Sequence, residues 1–230
     1  MAQMQHAPRN RTRTMLERLG REIVTGHYTS QPFPTEAELS TAHGVSRSVT
    51  REAVKMLTAK GLLRARARAG TTVQPADAWN LFDPDVLRWL LDRQFSVGLL
   101  RHFTQLRIAI EPEAAALAAR FASADDRAAV AAGLARMAAA EAGTDDTLDA
   151  DIAFHVAVLT ASQNPFYVQF RDVVATALRT SIRFTNRIVG HSASLADHAA
   201  VAAAIEARDP AAASAAMRHL IGDVLALIES

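Results

Sequence analysis

Apolar residues along the first third of the chain recur at helical spacing in short blocks. Between Thr14 and Thr25 they fall at Met15, Leu16, Leu19, Ile23 and Val24, one face of a helix, with Gly26 to stop it. Tyr28 to Phe33 reads as a loop, and a second helix begins at Thr35 or a neighbour. From Pro34 to Val73 two helical patterns meet at His43-Gly44-Val45, where a glycine suits the tight turn of a helix-turn-helix. Ser46 is placed to cap the second of these helices, whose apolar stripe is Val49, Ala53, Val54 and Leu57. Arg47, Ser48, Thr50 and Arg51 lie near its start, where a recognition helix touches base edges. Gly61 ends it, and Leu62 to Val73 forms two short extended runs. Arg64, Arg66 and Arg68 alternate with alanine along the first run, so all three project from one face of a strand. The pattern predicts a winged helix-turn-helix with a basic wing.

Beyond it the periodicity is helical throughout. Gln74 to Trp79 is a linker containing Pro75, and Asp83-Pro84 opens a helix with Val86, Leu87, Leu90 and Leu91 on its apolar face. Candidate helices then cover Val97–Ala122 (broken or bent near Pro112), Ala124–Glu141, Leu148–Ser162, Pro165–Asn186, Leu195–Ala207 and Pro210–Ile228, with no convincing strand. Alanine is frequent here and favours helix and close helix packing. The fold class is mainly α: a winged helix-turn-helix domain followed by an all-α bundle. The expected organisation is a flexible arm at 1–13, a DNA-binding domain at 14–74, a junction with its helix at 75–94, and a helical domain at 95–230.

Composition bounds the rest. The 230 residues allow two modest domains, and half of them are hydrophobic, so the chain is globular. Without cysteine there is neither a disulfide nor a thiolate site. No run of about 18 apolar residues is present and no apolar signal core follows the basic N-terminus, so a soluble cytoplasmic protein is expected. The net charge of +1 conceals an asymmetry. Residues 1–75 hold 12 Lys and Arg against 5 Asp and Glu, and residues 76–230 hold 13 against 19. A basic N-terminal module suits a phosphate backbone, whereas the acidic remainder does not.

The motif between Pro34 and Val73 resembles the DNA-binding domain of GntR-family transcription regulators. The matching residues are Pro34, Glu36, Glu38, Leu39, Gly44-Val45-Ser46-Arg47, Arg51-Glu52-Ala53, Leu57, Gly61-Leu62, Gly70-Thr71 and Val73. Three positions depart from the pattern: Ala37 replaces an arginine that touches DNA, Thr50 replaces valine, and Arg68 replaces the first wing glycine. The resemblance implies base or phosphate contacts from Arg47, Ser48, Thr50 and Arg51, and backbone or minor-groove contacts from Arg66, Arg68 and Gly70. Losing the arginine at position 37 shifts weight to the recognition helix and the wing. The stretch from Trp79 to Leu90 is similar to the domain junction of sugar-acid repressors in the FadR branch.

The acidic half carries the chemistry. Asp151 and His155 stand at i and i+4 on one helix face beside Ile152, Val156 and Leu159. His198 shares the face of Val201, Ala202 and Ile205, and His219 lies beside Ala216 and Leu220. Three histidines and an aspartate aimed into one bundle make a divalent metal site chemically natural, with positions left for water or a ligand carboxylate. The order D-x-x-x-H, H-x-x-(V/I), H-L resembles the FCD effector domain of the FadR subfamily, which implies that Asp151, His155, His198 and His219 hold the ion. Zn²⁺, Ni²⁺ and Mn²⁺ all suit such donors. His6, His27, His43, His102 and His191 fit no such pattern and read as surface or structural. Arg107, on a mostly apolar helix, needs an anion if buried, and Glu111 at i+4 is one candidate. The resemblance favours an effector carboxylate instead, with Arg183 and Asn186 as a second tier for sugar hydroxyls.

The functional expectation is a homodimeric, ligand-responsive regulator of a sugar-acid or other small-carboxylate operon, most simply a repressor, acting on near-palindromic operator DNA. A metal-dependent enzyme acting on a small acid, and a sensor of metal alone, are the alternatives. The chain offers no separate general base, no nucleophile motif and no phosphate loop to support turnover.

Overall fold

The computed structural model describes residues 8–66, 70–93, 97–188 and 194–229. The chain divides into two compact units, Met1–Phe95 and Ser96–Ser230.

The first unit packs helices α1 (Pro8–Val24), α2 (Glu36–His43) and α3 (Arg47–Ala59) beside a two-stranded sheet and helix α4 (Pro84–Arg93). Its core contains Leu16, Leu19, Leu39, Leu57, Leu62, Val86 and Trp89, so the stripes read from periodicity are the buried faces. Local chemistry sets the boundaries. Thr35 and Glu38 form a reciprocal capping box at the start of α2. Gly44 closes that helix in the left-handed region, with φ of 60°, where a side chain is disfavoured. Ser46 caps α3 by accepting from the Val49 amide. Strand β1 (Leu63–Arg66) pairs antiparallel with β2 (Gly70–Val73), Leu63 opposite Val73 and Arg66 opposite Gly70.

Two expectations change here. Residues 8–13 are not an arm but the first turns of α1, and Arg13 is drawn into ion pairs with Glu17 (3.3 Å) and Asp85 (3.0 Å). The junction helix α4 also belongs to this unit's core. Trp89, which the apolar face read from sequence left out, is 1% exposed and donates from Nε1 to Glu17 Oε2 at 2.8 Å. Lys60, at the end of α3, meets Asp83 (2.7 Å) and Asp85 (2.9 Å), and so ties the recognition helix to α4.

The second unit is helical, with no strand among the described residues: α5 (Val97–Phe121), α6 (Ala124–Glu141), α7 (Thr147–Ala161), α8 (Pro165–Gln169), α9 (Arg171–Ile188), α10 (Leu195–Glu206) and α11 (Pro210–Glu229). Helix α5 continues through Pro112. The single helix expected from Pro165 to Asn186 is two, separated at Phe170. Alanines of α5, Phe154 and Val158 of α7, Val201 and Ile205 of α10, and Met217 and Ile221 of α11 share one core. Gly133 lets α6 approach α7 closely: a Cβ there would lie 2.9 Å from the Phe154 Cα. Helix α11 is long and apolar enough to cross a membrane by length and composition, yet it lies along α5 and α10 with Arg218, His219 and Asp223 on its exposed side.

Candidate functional site

Helix α7 contributes Asp151 and His155, α10 contributes His198, and α5 contributes Arg107 and Glu111. All five are buried, none more than 4% exposed. Burial of so many ionisable groups is tolerated only if they satisfy one another. Most of the pairing is complete. Glu111 Oε1 accepts from Arg107 Nε at 2.5 Å, and its Oε2 lies 2.5 Å from His155 Nδ1. Burial raises the Glu111 carboxyl, but the Arg107 charge and then His155 outweigh it and hold it at about 2.

One pair is incomplete. His198 Nδ1 sits 2.7 Å from the Ser194 carbonyl oxygen, which can only accept, so that nitrogen carries the proton. In a neutral ring His198 Nε2 is then a lone pair, facing Asp151 Oδ1 at 2.9 Å. Neither atom has a hydrogen-bond partner, although both are fully buried. Two acceptors brought face to face inside the bundle are reconciled by a cation between them, either a proton or a metal ion. His155 Nε2 lies 3.6 Å from the same Asp151 oxygen. Asp151, His155 and His198 each present one ligand atom within 4.8 Å of the others. Their rings stand at 78° to each other, with Phe154 packed edge-on against His198. Two nitrogens and one carboxylate oxygen on this scale fit a divalent transition metal.

His219 is not part of this group. The inward stripe of α11 is Ala213, Met217, Leu220 and Ile221, which puts His219 on the opposite side, 65% exposed and 3.4 Å from Asp223. Adjacency to Leu220 misled: neighbours in a helix are about 100° apart, so a residue next to a core leucine usually faces elsewhere. Arg107 takes the ion pair with Glu111 that i, i+4 spacing allowed. A guanidinium has five N–H donors, so a pair through Nε and Nη2 does not exhaust it. Arg183 and Asn186 fall in α9, but their side chains lie outside the described residues.

On α3, Arg47, Ser48 and Arg51 are exposed. Ser48 Oγ bonds Ser46 Oγ (2.9 Å), and Arg51 reaches Glu36 of α2 across 3.4 Å. Thr50 is different: it is fully buried, and its hydroxyl meets Ser40 Oγ at 2.9 Å where α2 and α3 cross. It falls on the same stripe as Ala53, Val54 and Leu57, so it packs the motif and does not reach a base. Gly70 is exposed with φ of 80°, whereas the side chain of Arg66 and the whole of Arg68 lie outside the described residues. Sequence reading gave Glu111 no role except as a salt-bridge partner, and missed Ser194. The i, i+4 spacing from Arg107 gave Glu111 its arginine partner but not its contact with His155; Ser194 acts through its backbone, which no residue type announces.

The chain is similar to known proteins along nearly all of its length. Residues 11–73 match the model for bacterial regulatory proteins of the gntR family, and residues 102–223 match the FCD domain. The HTH-type transcriptional regulator YieP of Escherichia coli is 35% identical over 182 residues, 78% of this chain and 79% of the relative. The galactonate operon transcriptional repressor of the same organism is 32% identical over 217 residues, 92% and 94% of the two chains. Among solved structures, E. coli McbR/YncC aligns with a TM-score of 0.54 at 16% identity, covering 95% of this chain and 97% of that one, which speaks for the fold.

Proposed function

The chain belongs to the GntR family of bacterial transcription regulators and carries an FCD domain, and from that premise we propose that it represses an operon for the use of a small carboxylic acid, which it senses at a metal-containing pocket. Its relatives are transcription regulators, which leaves the enzyme reading without support. The observation that carries the proposal is the buried convergence of Asp151, His155 and His198, with two acceptor atoms left facing each other. These three residues hold the ion. When bound, the metal supplies an electrophilic seat for a carboxylate oxygen, with more open positions than a four-ligand protein site leaves. Arg107 flanks that seat and adds charge-assisted hydrogen bonds to the same carboxylate. A sugar acid is the first effector class to test, because a relative similar over nearly the full chain is a galactonate operon repressor.

In this reading two copies place their α3 helices in successive major grooves of a near-palindromic operator. Arg47 and Arg51 read bases or phosphates, Ser48 adds a contact, and the wing residues Arg66, Arg68 and Gly70 follow the backbone. The effector releases DNA because it binds better to a dimer geometry that fits the operator poorly.

A thermal-shift screen of small organic acids, run with and without chelator, tests the pocket. A ligand for the native state raises apparent stability by mass action. An acid that stabilises the metal-loaded protein and loses its effect in chelator is expected. If metal alone changes operator binding and no acid does, the protein is a metal sensor and the effector reading falls.

A further inference from the structure

Glu111 has a geometry that an arginine partner alone does not require. A carboxylate facing a guanidinium commonly pairs with it as a symmetric fork. Here the fork is skewed. Oε1 takes Arg107 Nε at 2.5 Å, but Oε2 is 3.3 Å from Arg107 Nη2 and only 2.5 Å from His155 Nδ1. The second oxygen is committed to the histidine. An ionised carboxylate only accepts, so His155 Nδ1 must present its N–H there. Arg107 Nη2 lies 3.2 Å from both ring nitrogens of His155 and, being a donor only, cannot accept the Nδ1 proton in place of Glu111. A neutral imidazole with Nδ1 protonated leaves its lone pair on Nε2, the nitrogen nearer Asp151.

His198 has the same arrangement from a different source. Its Nδ1 is held by the Ser194 carbonyl, which leaves Nε2 facing Asp151. Both rings are therefore anchored at Nδ1 and aimed through Nε2 at one carboxylate oxygen. One anchor is backbone and cannot be removed by substitution; the other is Glu111.

We propose that Glu111 is a positioning residue: its carboxylate fixes His155 as the Nδ1–H tautomer and so aims the Nε2 lone pair at the point where Asp151 and His198 converge. Carboxylates that orient metal-bound histidines in this way raise ligand basicity and fix ring orientation. The value of the aimed lone pair rests on the metal reading above, but the tautomer itself is a property of the metal-free protein.

Two readouts separate these. The first is long-range ¹H–¹⁵N correlation on chelator-treated protein labelled at histidine, with His155 assigned by its loss in His155→Asn. The wild type is expected to show a protonated Nδ1 and a bare Nε2, and Glu111→Leu to show a mixed or reversed tautomer. The second is Zn²⁺ affinity by competition with a chromophoric chelator, expected to fall about 10- to 100-fold in Glu111→Leu, with Glu111→Gln between, since its amide oxygen still accepts. Glu111→Leu leaves a buried arginine unpaired and can fail to fold, so Arg107→Met is compared with Arg107→Met/Glu111→Leu, where the charges leave together. The double variant is expected to lose the tautomer and the affinity that the single variant keeps. An unchanged tautomer, with Zn²⁺ affinity within about twofold across that comparison, overturns the proposal. A wild type that takes no Zn²⁺ yet changes tautomer on loss of Glu111 supports the positioning role and removes the metal reading instead.

Discussion

His198 and His219 have the same chemistry and occupy opposite faces, which makes them a controlled pair. His198 is 1% exposed, and its Nε2 meets Asp151, whereas His219 stands 65% exposed beside Asp223. His198→Ala is expected to weaken Zn²⁺ binding at least 100-fold, more than the roughly 10- to 100-fold loss of an outer-shell partner. It should also abolish the response to effector while operator binding persists. His219→Ala should leave both within about twofold; an equal loss in the two variants would return His219 to the ligand set. Glu111 supplies the pH test. Its carboxyl is held at about 2 against an ordinary 4.5, so its contribution to stability is present above 4.5 and lost as pH falls from there toward 2. The difference corresponds to an upper bound of about 3 kcal/mol. Chemical denaturation from pH 6 to 2 should show a shallower acid decline in Glu111→Gln than in the wild type. Parallel declines would mean that Glu111 is not the group responsible. At this scale the sequence was informative about type and spacing: Asp151 and His155 at i, i+4 were legible, as was His198 on its apolar stripe. The face of His219 was not, because it depends on which residues of α11 meet α5, a tertiary choice that adjacency to Leu220 does not report.

Helices α6 and α7 approach more closely than side chains at their crossing would allow, and Gly133 is the reason. Gly133→Ala puts a methyl against the Phe154 backbone, next to His155, and the helices must separate. The expected cost is about 1–3 kcal/mol of stability, with weaker Zn²⁺ binding under the proposed function, because a displaced α7 carries Asp151 and His155 with it. Equal thermal midpoints for variant and wild type would show that the crossing has slack. The helix-turn-helix offers a parallel contrast. Ser40 Oγ donates to the Glu36 carbonyl, which leaves the buried Thr50 hydroxyl to donate to Ser40. Thr50→Val should therefore cost about 1 kcal/mol of stability and leave base preference unchanged. Arg47→Ala should cost about 1–3 kcal/mol of operator affinity if it reads a base, with the thermal midpoint unmoved, and a gel shift beside a melting curve separates the two. Some element boundaries were readable because capping is local: Thr35 and Ser46 sit where α2 and α3 begin. The break at Phe170 was not, since no proline or glycine marks it and the residues around it suit a helix. Nor was the capture of α4 by the first unit, which Trp89 makes by filling a core whose other walls are distant in sequence.

The excess of arginine and lysine over acidic residues lies in the N-terminal third of the chain. That split has a thermodynamic consequence for the intact protein. Binding to the operator through the basic unit releases counterions, so affinity should fall steeply and linearly in log–log form with salt. Effector binding at the buried carboxylate–imidazole site, as proposed, would release few counterions and should respond weakly to salt, because buried charges are screened little. The coupling between the two sites is a free energy shared by both, and linkage makes it reciprocal. If a small acid identified by thermal shift weakens operator binding by some factor, typically about 5- to 150-fold, saturating operator DNA must weaken binding of that acid by the same factor. Fluorescence anisotropy of labelled operator, titrated with protein at fixed acid, gives one arm. Calorimetric titration of acid into free and operator-bound protein, at the same salt, gives the other. Agreement of the two factors is expected for a repressor in which acid and operator select different states of one dimer. An acid that lowers operator affinity while binding equally well to free and DNA-bound protein would instead be acting on the DNA or on metal loading, and the pocket at Asp151, His155 and His198 would not be its seat.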